Sequence, residues 1–229
     1  MNRTTVLALL FGLAAGCATT ESPAPQASAD GLVAVRSSTV DQLYLRPGGD
    51  LAGHRKVVLL EPVSVQMRDD WVKQQHGNNY RIQPTYPRYR EADEVARETA
   101  DAVSASLAKA FRAAGFEIVE TPGAGVMRVS AKVTDMFVNA PDIVSPGYPR
   151  SVVRDAGEAN LSLEVRDATD GRALARVAHH AIARETPRGN YASDPLNSFW
   201  METVFQRWAD NCVAEIAGAQ RVTNAGLKN

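Results

Sequence analysis

Apolar and polar residues alternate along several short stretches of the chain, and this period of two predicts β-strands. One-sided strands are predicted over Val63–Met67, Met127–Val133, Glu158–Arg166 and Ala173–Glu185. Asp170-Gly171 is a tight-turn dipeptide, so the last two strands should form a hairpin. The alternation breaks at Asp135, which predicts a β-bulge. Two further short strands are predicted at Lys56–Leu60, which is apolar after its first residue, and at Phe116–Glu120.

Two longer segments have the period of an amphipathic helix. Glu91–Ala114 has an acidic start, a basic end and one apolar stripe, made of Val95, Thr99, Val103, Leu107, Ala110, Phe111 and Ala114. From Pro195 to about Gly218, apolar residues recur every four positions, which predicts a broad buried face. The coarse order β-α-β-β-β-β-α predicts an α+β two-layer sandwich, with a largely antiparallel sheet of four to five strands and both long helices packed on one face.

The first 30 residues follow a different pattern. Arg3 precedes an uncharged apolar run of about 13 residues, shorter than the roughly 20 that a membrane-spanning helix needs. Small residues end the run, as in a secretory signal peptide. The ending Ala14-Ala15-Gly16-Cys17 resembles the lipobox of bacterial lipoproteins. This resemblance implies cleavage between Gly16 and Cys17, with diacylglyceryl and amide-linked acyl groups such as palmitate on Cys17. A plain signal peptide that happens to contain a cysteine is the alternative.

The residues after Cys17 suggest how the protein is held. They are rich in Ala, Ser, Thr and Pro with nothing bulky to bury, which predicts a flexible tether. Two or more acyl chains anchor a protein stably on a bilayer. Ala18, where an aspartate would favour inner-membrane retention, implies by the same resemblance the periplasmic face of the outer membrane. We expect a signal peptide over 1–16, anchor and tether over 17–30, a single globular domain over 31–220 and a frayed tail over 221–229.

Composition narrows the functional classes. Hydrophobic residues make up 45% of the chain, charged residues 22%, and the net charge is −1, ordinary values for a globular protein. There is no basic stripe in the sequence that would favour nucleic-acid binding. If Cys17 is acylated, Cys212 has no partner in the chain, so the cysteines do not indicate a disulfide scaffold.

Two long polar stretches separate the predicted elements. Met67 to Arg90 mixes aromatic residues with arginines and prolines, and Asn139 to Gly157 is rich in Pro and Gly. Loops of such length are often functional. The sequence therefore nominates a candidate contact surface, made of Trp71, Tyr80, Tyr86, Tyr89 and Tyr148. The alternative is that the aromatic side chains of the longer loop only pack it onto the domain.

Residues that could carry chemistry are sparse. The sequence has no phosphate-binding loop, nucleophile elbow or zinc-binding spacing. His179 and His180 are adjacent in a predicted strand, so their rings should point to opposite faces and cannot readily share an ion. His54 and His76 lie alone in predicted loops, and Asp69-Asp70 lacks a third ligand at a defined spacing. The sequence nominates no catalytic residue, metal site or cofactor, and we expect a protein that is not an enzyme.

Short turn and packing motifs recur through the mature chain. They are Gly31-Leu32-Val33, Tyr44-Leu45-Arg46-Pro47-Gly48, Asp70-Trp71, Asn139-Ala140-Pro141, Asp155-Ala156-Gly157-Glu158-Ala159, Asp167-Ala168 with Gly171, and Trp208. With these motifs, the stretch from about Gly31 to Ala217 resembles the bacterial lipoproteins of domain-of-unknown-function family 3313. The resemblance implies a lipoprotein and supplies no catalytic residues.

Three functional hypotheses follow from these observations. The first is a non-enzymatic lipoprotein, held on the membrane through Cys17, that acts by binding another envelope protein. The second is a carrier or sensor of a small apolar or envelope-derived ligand, held between the helices and the sheet. The third is an envelope hydrolase whose site is assembled from loops, which would need a cleft lined by converging carboxylates or His180.

Overall fold

The computed structural model describes residues 28–48, 50–71, 92–138, 152–153, 155–184, 190–191 and 194–226. Gly16, Cys17, Tyr80, Tyr86, Tyr89 and Tyr148 lie outside these residues, so their predicted roles stay predictions. The described elements, in chain order, are β1 (Val33–Val35), β2 (Gln42–Leu45), a 3-10 helix (Asp50–Gly53), β3 (Val57–Leu60), β4 (Ser64–Met67), α1 (Ala92–Ala113), β5 (Glu117–Ile118), β6 (Met127–Val138), β7 (Val152–Val153), β8 (Asp155–Asp167), β9 (Ala173–Arg184), β10 (Asn190–Tyr191) and α2 (Asp194–Gly226).

The main sheet is larger and more mixed than predicted. Eight strands form it in the order β1-β2-β9-β8-β6-β3-β5, with β4 also paired to β6, while β7 and β10 form a separate pair. Neighbours from β1 to β6 in that order are antiparallel, but β3, β4 and β5 pair parallel. The prediction of four to five largely antiparallel strands is therefore wrong in number and only partly right in direction. The helix α1 lies between β4 and β5, and a helical crossover returns the chain in the same direction.

Two irregularities interrupt the strands, and the one predicted at Asp135 is confirmed. The chain leaves regular pairing around Pro62, so β3 and β4 run in succession along the same side of β6. Within β6, the pairing with β8 shifts register between Thr134 and Phe137. Asp135 sits in that shift with a φ of 51°, a left-handed conformation that few residues other than glycine adopt. A bulge of this kind re-aims the side chains that follow it.

Both long helices pack on one face of the sheet, as predicted, and the core lies between the helices and the sheet. From α1 the buried side chains are Val95, Thr99, Val103, Leu107, Ala110 and Phe111. From α2 they include Met201, Val204, Phe205, Trp208, Cys212 and Ile216. These helices share one apolar cluster with the odd-numbered residues of β8, such as Leu161 and Leu163. From Glu158 to Arg166, the even-numbered residues of the same strand form the polar face, which Lys132 and Arg176 also line.

The two helices run in the same direction along the sheet. Near its start, α2 places Met201 against Gly157, which pairs with Val138 at the finish of β6. Near its finish, α2 places the amide of Gln220 against Met127 at the start of β6. Since α1 ends beside Lys56 and Phe116, it also points this way. We call the end of the sheet with Met127 and the β8–β9 turn the lower end, and the end with Val138 and Gly157 the upper end.

The helix α2 is longer than the sequence pattern indicated. It continues past Gly218 to Gly226, so residues 221–226 of the segment expected to be a frayed tail are helical. Gln220 supplies a reason, because its side-chain amide is buried and donates a hydrogen bond to the Leu51 carbonyl of the 3-10 helix. Of the helices that the structure describes, none combines the length and apolarity needed to cross a bilayer.

Candidate functional site

A network of charged side chains occupies the upper end of the polar face. Arg68, just after β4, bonds to Asp70 through Nε (2.6 Å to Oδ1) and to Glu158 of β8 through Nη1. Its guanidinium also lies over the Phe137 ring, 4.1 Å from the centroid. The hydrogen bond between Arg68 and Asp70 lowers the pKa of the Asp70 carboxyl and raises the pKa of Arg68. At 32% side-chain exposure, Arg68 is fixed by partners on both sides yet remains open to solvent.

A second chain of hydrogen bonds runs beside this network, from β6 to β9. Asn160 donates through Nδ2 to Asp135 Oδ2 (2.8 Å), so its Oδ1 accepts from the Nδ1 of His180 (2.9 Å). The His180 Nε2 lies 3.9 Å from Glu158. The bulge at Asp135 places its carboxylate here, where an unbroken alternation would have offered a different residue.

The adjacent histidines behave as the strand alternation predicts. While the His180 ring bonds Asn160, the His179 ring lies 3.2 Å from Asp41 Oδ2. The same Asp41 oxygen accepts the backbone N–H of His180. Within the described ranges, no three His, Cys, Asp or Glu side chains are arranged to hold a metal ion. Asp70, which the sequence could only mark as half of an acidic pair, is bound to Arg68.

Trp71 is the one predicted contact residue that the structure describes, and it is a packing residue. It is 5% exposed, and its indole N–H donates to the Val138 carbonyl (2.6 Å). Its assignment to an exposed contact surface is therefore corrected, because a buried ring offers almost no area to a partner. The alternative interpretation, in which an aromatic side chain packs the long loop onto the domain, describes this residue.

Sequence reasoning missed a buried pair at the lower end. His54, expected to stand alone in a loop, places Nε2 2.8 Å from Oδ2 of Asp167, with the two side chains 6% and 15% exposed. Burial alone would raise the pKa of Asp167, but hydrogen bonds from the Thr169 and Asp170 amides and from His54 outweigh it and lower the pKa to about 2. The partners are 113 positions apart in sequence, so no spacing could have linked them.

The first described residues are bound at this same lower end. The chain turns at Ser28, whose backbone pairs with Leu32, and Leu32 is fully buried. Arg46 donates to the Asp30 carbonyl (2.6 Å), and Arg176 donates to the Asp30 carboxylate (2.5 Å). Hydrogen bonds to Glu164 and then to Asp30 raise the pKa of Arg176. The chain therefore enters the domain beside the starts of β6 and β9.

The described part of the chain also forms concavities, among them a groove and a smaller pocket. A groove of about 820 Å³ runs between α1 and α2, with Ala102, Ala105 and Ser106 on one wall and Phe199, Glu202 and Arg207 among the residues of the other. A pocket of about 240 Å³ lies where β3 breaks from β4, between the sheet and α1. Cys212 is buried in the core, and burial raises the pKa of its thiol, which makes it a poor nucleophile.

Comparison with known proteins gives one family and several distant structures. The family model described as "Protein of unknown function (DUF3313)" matches residues 25–211. None of the curated proteins matches the chain.

Among solved structures, the PelC dodecamer from Paraburkholderia phytofirmans is 10% identical with a TM-score of 0.34, covering 74% of this chain and 94% of that one. A Xanthomonas campestris protein of family DUF330 is 12% identical with a TM-score of 0.34, over 79% and 92% of the two chains. A minor lipoprotein from Acinetobacter baumannii is 11% identical with a TM-score of 0.30, over 71% and 93%. Scores of this size do not establish a common fold.

Proposed function

The chain belongs to the DUF3313 family of proteins of unknown function, and we propose that it acts as a lipid-anchored, non-enzymatic component of the bacterial envelope. In this proposal, acyl groups on Cys17 hold the protein on the periplasmic face of the outer membrane. The folded domain binds another envelope protein, and the upper end of the sheet makes the contact.

The observation that carries the proposal is the separation between the point where the tether meets the domain and the charged network. Arg46 and Arg176 hold Asp30 at the lower end, whereas Arg68 and Glu158 lie at the upper end. Arg68 bonds to Glu158 and Arg176 bonds to Glu164, and these two glutamates are six residues apart on β8, so the two groups lie about 20 Å apart. The residues from Cys17 to Ser28 would span about 20 Å as a flexible tether. An anchor at Cys17 would thus leave the upper end free to meet a partner away from the bilayer.

The chemistry of the upper end suits a contact between proteins better than it suits catalysis. Arg68 presents a planar guanidinium between two carboxylates and over an aromatic ring, and arginine and aromatic residues are enriched at protein interfaces. The carboxylates beside His180 are already engaged, Glu158 by Arg68 and Asp135 by Asn160. This pairing favours a fixed polar surface over a general acid or base.

The carrier alternative receives less support. A ligand held between helices and sheet would need a cavity there, and binding sites for small molecules usually measure about 300–1,000 Å³. The pocket at the break between β3 and β4 is about 240 Å³, and Glu61 is among its lining residues. We therefore keep the contact function as the proposal.

The anchor is tested by Cys17→Ala, with Cys212→Ala as the matched control. We expect the first variant to lose labelling by a fatty-acid probe and to leave the membrane fraction, since no thiol remains to be acylated. The control should retain both properties. Acyl labelling that persists in Cys17→Ala would contradict the anchor.

The contact surface is tested by photo-crosslinking in living cells. A photoreactive residue at Asp70 or Asp135, both exposed at the upper end, should trap one discrete protein that mass spectrometry identifies. The matched control is the same residue at Thr169 or Asp170, exposed at the lower end. Equal adducts from both ends, or no adduct from either, would contradict a partner at the upper end.

A further inference from the structure

The helix α2 carries a second stripe of residues, turned away from the core. Phe199, Thr203, Gln206 and Asp210 follow one another at spacings of four, three and four, the heptad spacing that aligns residues along a two-helix seam. Thr203 and Asp210 are exposed, Gln206 is half-buried, and Phe199 is 58% exposed. An aromatic ring so exposed beside a groove is a candidate anchor for a partner.

Two opposite charges flank this stripe at the spacing that a parallel helix pair uses. Glu202 precedes Thr203 and Arg207 follows Gln206, which makes them the g and e positions of the heptad. In a parallel pair, a g residue faces the e residue five positions further along the partner helix. Glu202 and Arg207 are five apart, so two copies of α2 would form this ion pair twice. These two flanking charges are therefore complementary to those of a second copy, whereas Asp210, within the stripe, would lie opposite the Asp210 of that copy.

The neighbouring helix leaves room for such a partner. The wall of the groove that α1 supplies is made of Ala102, Ala105, Ser106 and Lys109, and the short side chains of the first three let another helix approach closely along that part of the wall. A second α2 could pack against both helices of this layer, as in a four-helix arrangement.

We propose that two copies of this chain associate through the groove, with their α2 helices side by side and parallel. The two-fold axis then runs along the helices, as a closed symmetric dimer requires. Both copies would place Asp30 at the same end, so two lipid anchors could share one membrane. That last point rests on the proposed function, whereas the stripe, the charges and the groove do not.

The test is sedimentation equilibrium of the purified chain from residue 17 onward with Cys17→Ala, which cannot be acylated, at concentrations up to about 500 µM, where even weak association is measurable. We expect a reversible dimer for this chain. Glu202→Arg or Arg207→Glu should each raise the dissociation constant by about tenfold or more, since each change turns two attractive pairs into two repulsive ones. The double variant E202R/R207E should return to within about threefold of the starting value.

Controls separate this surface from other causes. Glu202 and Arg207 are exposed, so circular dichroism should show folded variants. Glu120→Arg, an exposed charge reversal after β5, should leave the dissociation constant unchanged, while Phe199→Ala should raise it. A monomer at every concentration, single variants that associate normally, or a double variant that fails to recover would each overturn the proposal. In an antiparallel pair Glu202 would not face Arg207. Recovery of dimerisation in the double variant would therefore also show that the two α2 helices are parallel. Because the measurement is made without a membrane, its outcome is independent of whether Cys17 anchors the protein.

Discussion

The two ends of the sheet use charged groups in different ways. At the lower end, His54 and Asp167 are almost withdrawn from water, and Asp167 also accepts the amides of the β8–β9 turn. At the upper end, Arg68 meets Asp70 and Glu158 with all three side chains substantially exposed. A buried group left without its partner costs far more than an exposed one.

The difference indicates a division of labour. The His54–Asp167 pair is nearly withdrawn from water and joins segments 113 positions apart, so it holds the domain together at the lower end. Upper-end pairs are weakly coupled to stability, and a surface of that kind can bind a partner or change in evolution without unfolding the domain. Four measurements test this contrast.

The largest expected effect lies at the upper end and belongs to the buried Trp71. Trp71→Ala should lower the free energy of unfolding by about 3–5 kcal/mol, because a buried indole and its bond to Val138 are both lost. Trp71→Phe, which keeps most of the ring, should lose clearly less in the same urea titration. A loss below about 1 kcal/mol for Trp71→Ala would show that the upper end is loosely packed throughout.

The next effect tests the lower end directly. Asp167→Ala should lower the free energy of unfolding by about 2–3 kcal/mol, since two turn amides and the buried His54 lose their acceptor. The matched control is Asp170→Ala in the same turn. Asp170 is exposed, so its loss should stay below about 1 kcal/mol. Equal losses would mean that burial does not set the cost here.

Acid should reduce the stabilisation that Asp167 contributes at the lower end. The pKa of Asp167 is about 2 in the folded protein against a usual 3.8, so its stabilisation is complete above about pH 4 and is lost as the pH falls through 2. The shift corresponds to about 2 kcal/mol. Urea titrations at pH 5 and pH 2 should therefore show a smaller acid loss for Asp167→Asn than for the natural protein. Identical losses would contradict the assignment.

The smallest effect is expected for the exposed network. Arg68→Ala should cost under about 1 kcal/mol of stability, because its ion pairs are screened by water. The same variant should abolish the crosslinked adduct trapped from Asp70, if Arg68 belongs to the contact. A large loss of stability with the adduct retained would reverse the division of labour drawn above.

Local pattern predicted much of the fold, and particular elements show where it stopped. The helix α1, the long strands β6, β8 and β9, the turn at Asp170-Gly171 and the bulge at Asp135 all follow from the sequence. The strands β1 and β2 did not, because segments of three and four residues hold too few alternations to recognise. The parallel pairing of β3 with β6 depends on a crossover, which strand periodicity does not encode.

The candidate site was less accessible to sequence reasoning. The sequence showed an irregularity at Asp135, but it did not show that the bulge would place the Asp135 carboxylate beside Asn160. Trp71 was nominated for its aromatic ring, and only its burial and its hydrogen bond to the Val138 carbonyl showed it to be structural. The α2 stripe that begins at Phe199 could have been found, but the stronger core-facing periodicity of the same helix concealed it.

By itself, the sequence determined the long strands, the helices and the faces that they bury, and it supplied the prediction of a lipid on Cys17, since each depends on side chains a few positions apart. Only the tertiary structure decided that His54 meets Asp167, that Arg68 meets Glu158, and that Asp30 and the charged network lie at opposite ends of one sheet. Those facts depend on residues tens of positions apart or more, and their contacts exist only once the chain has folded.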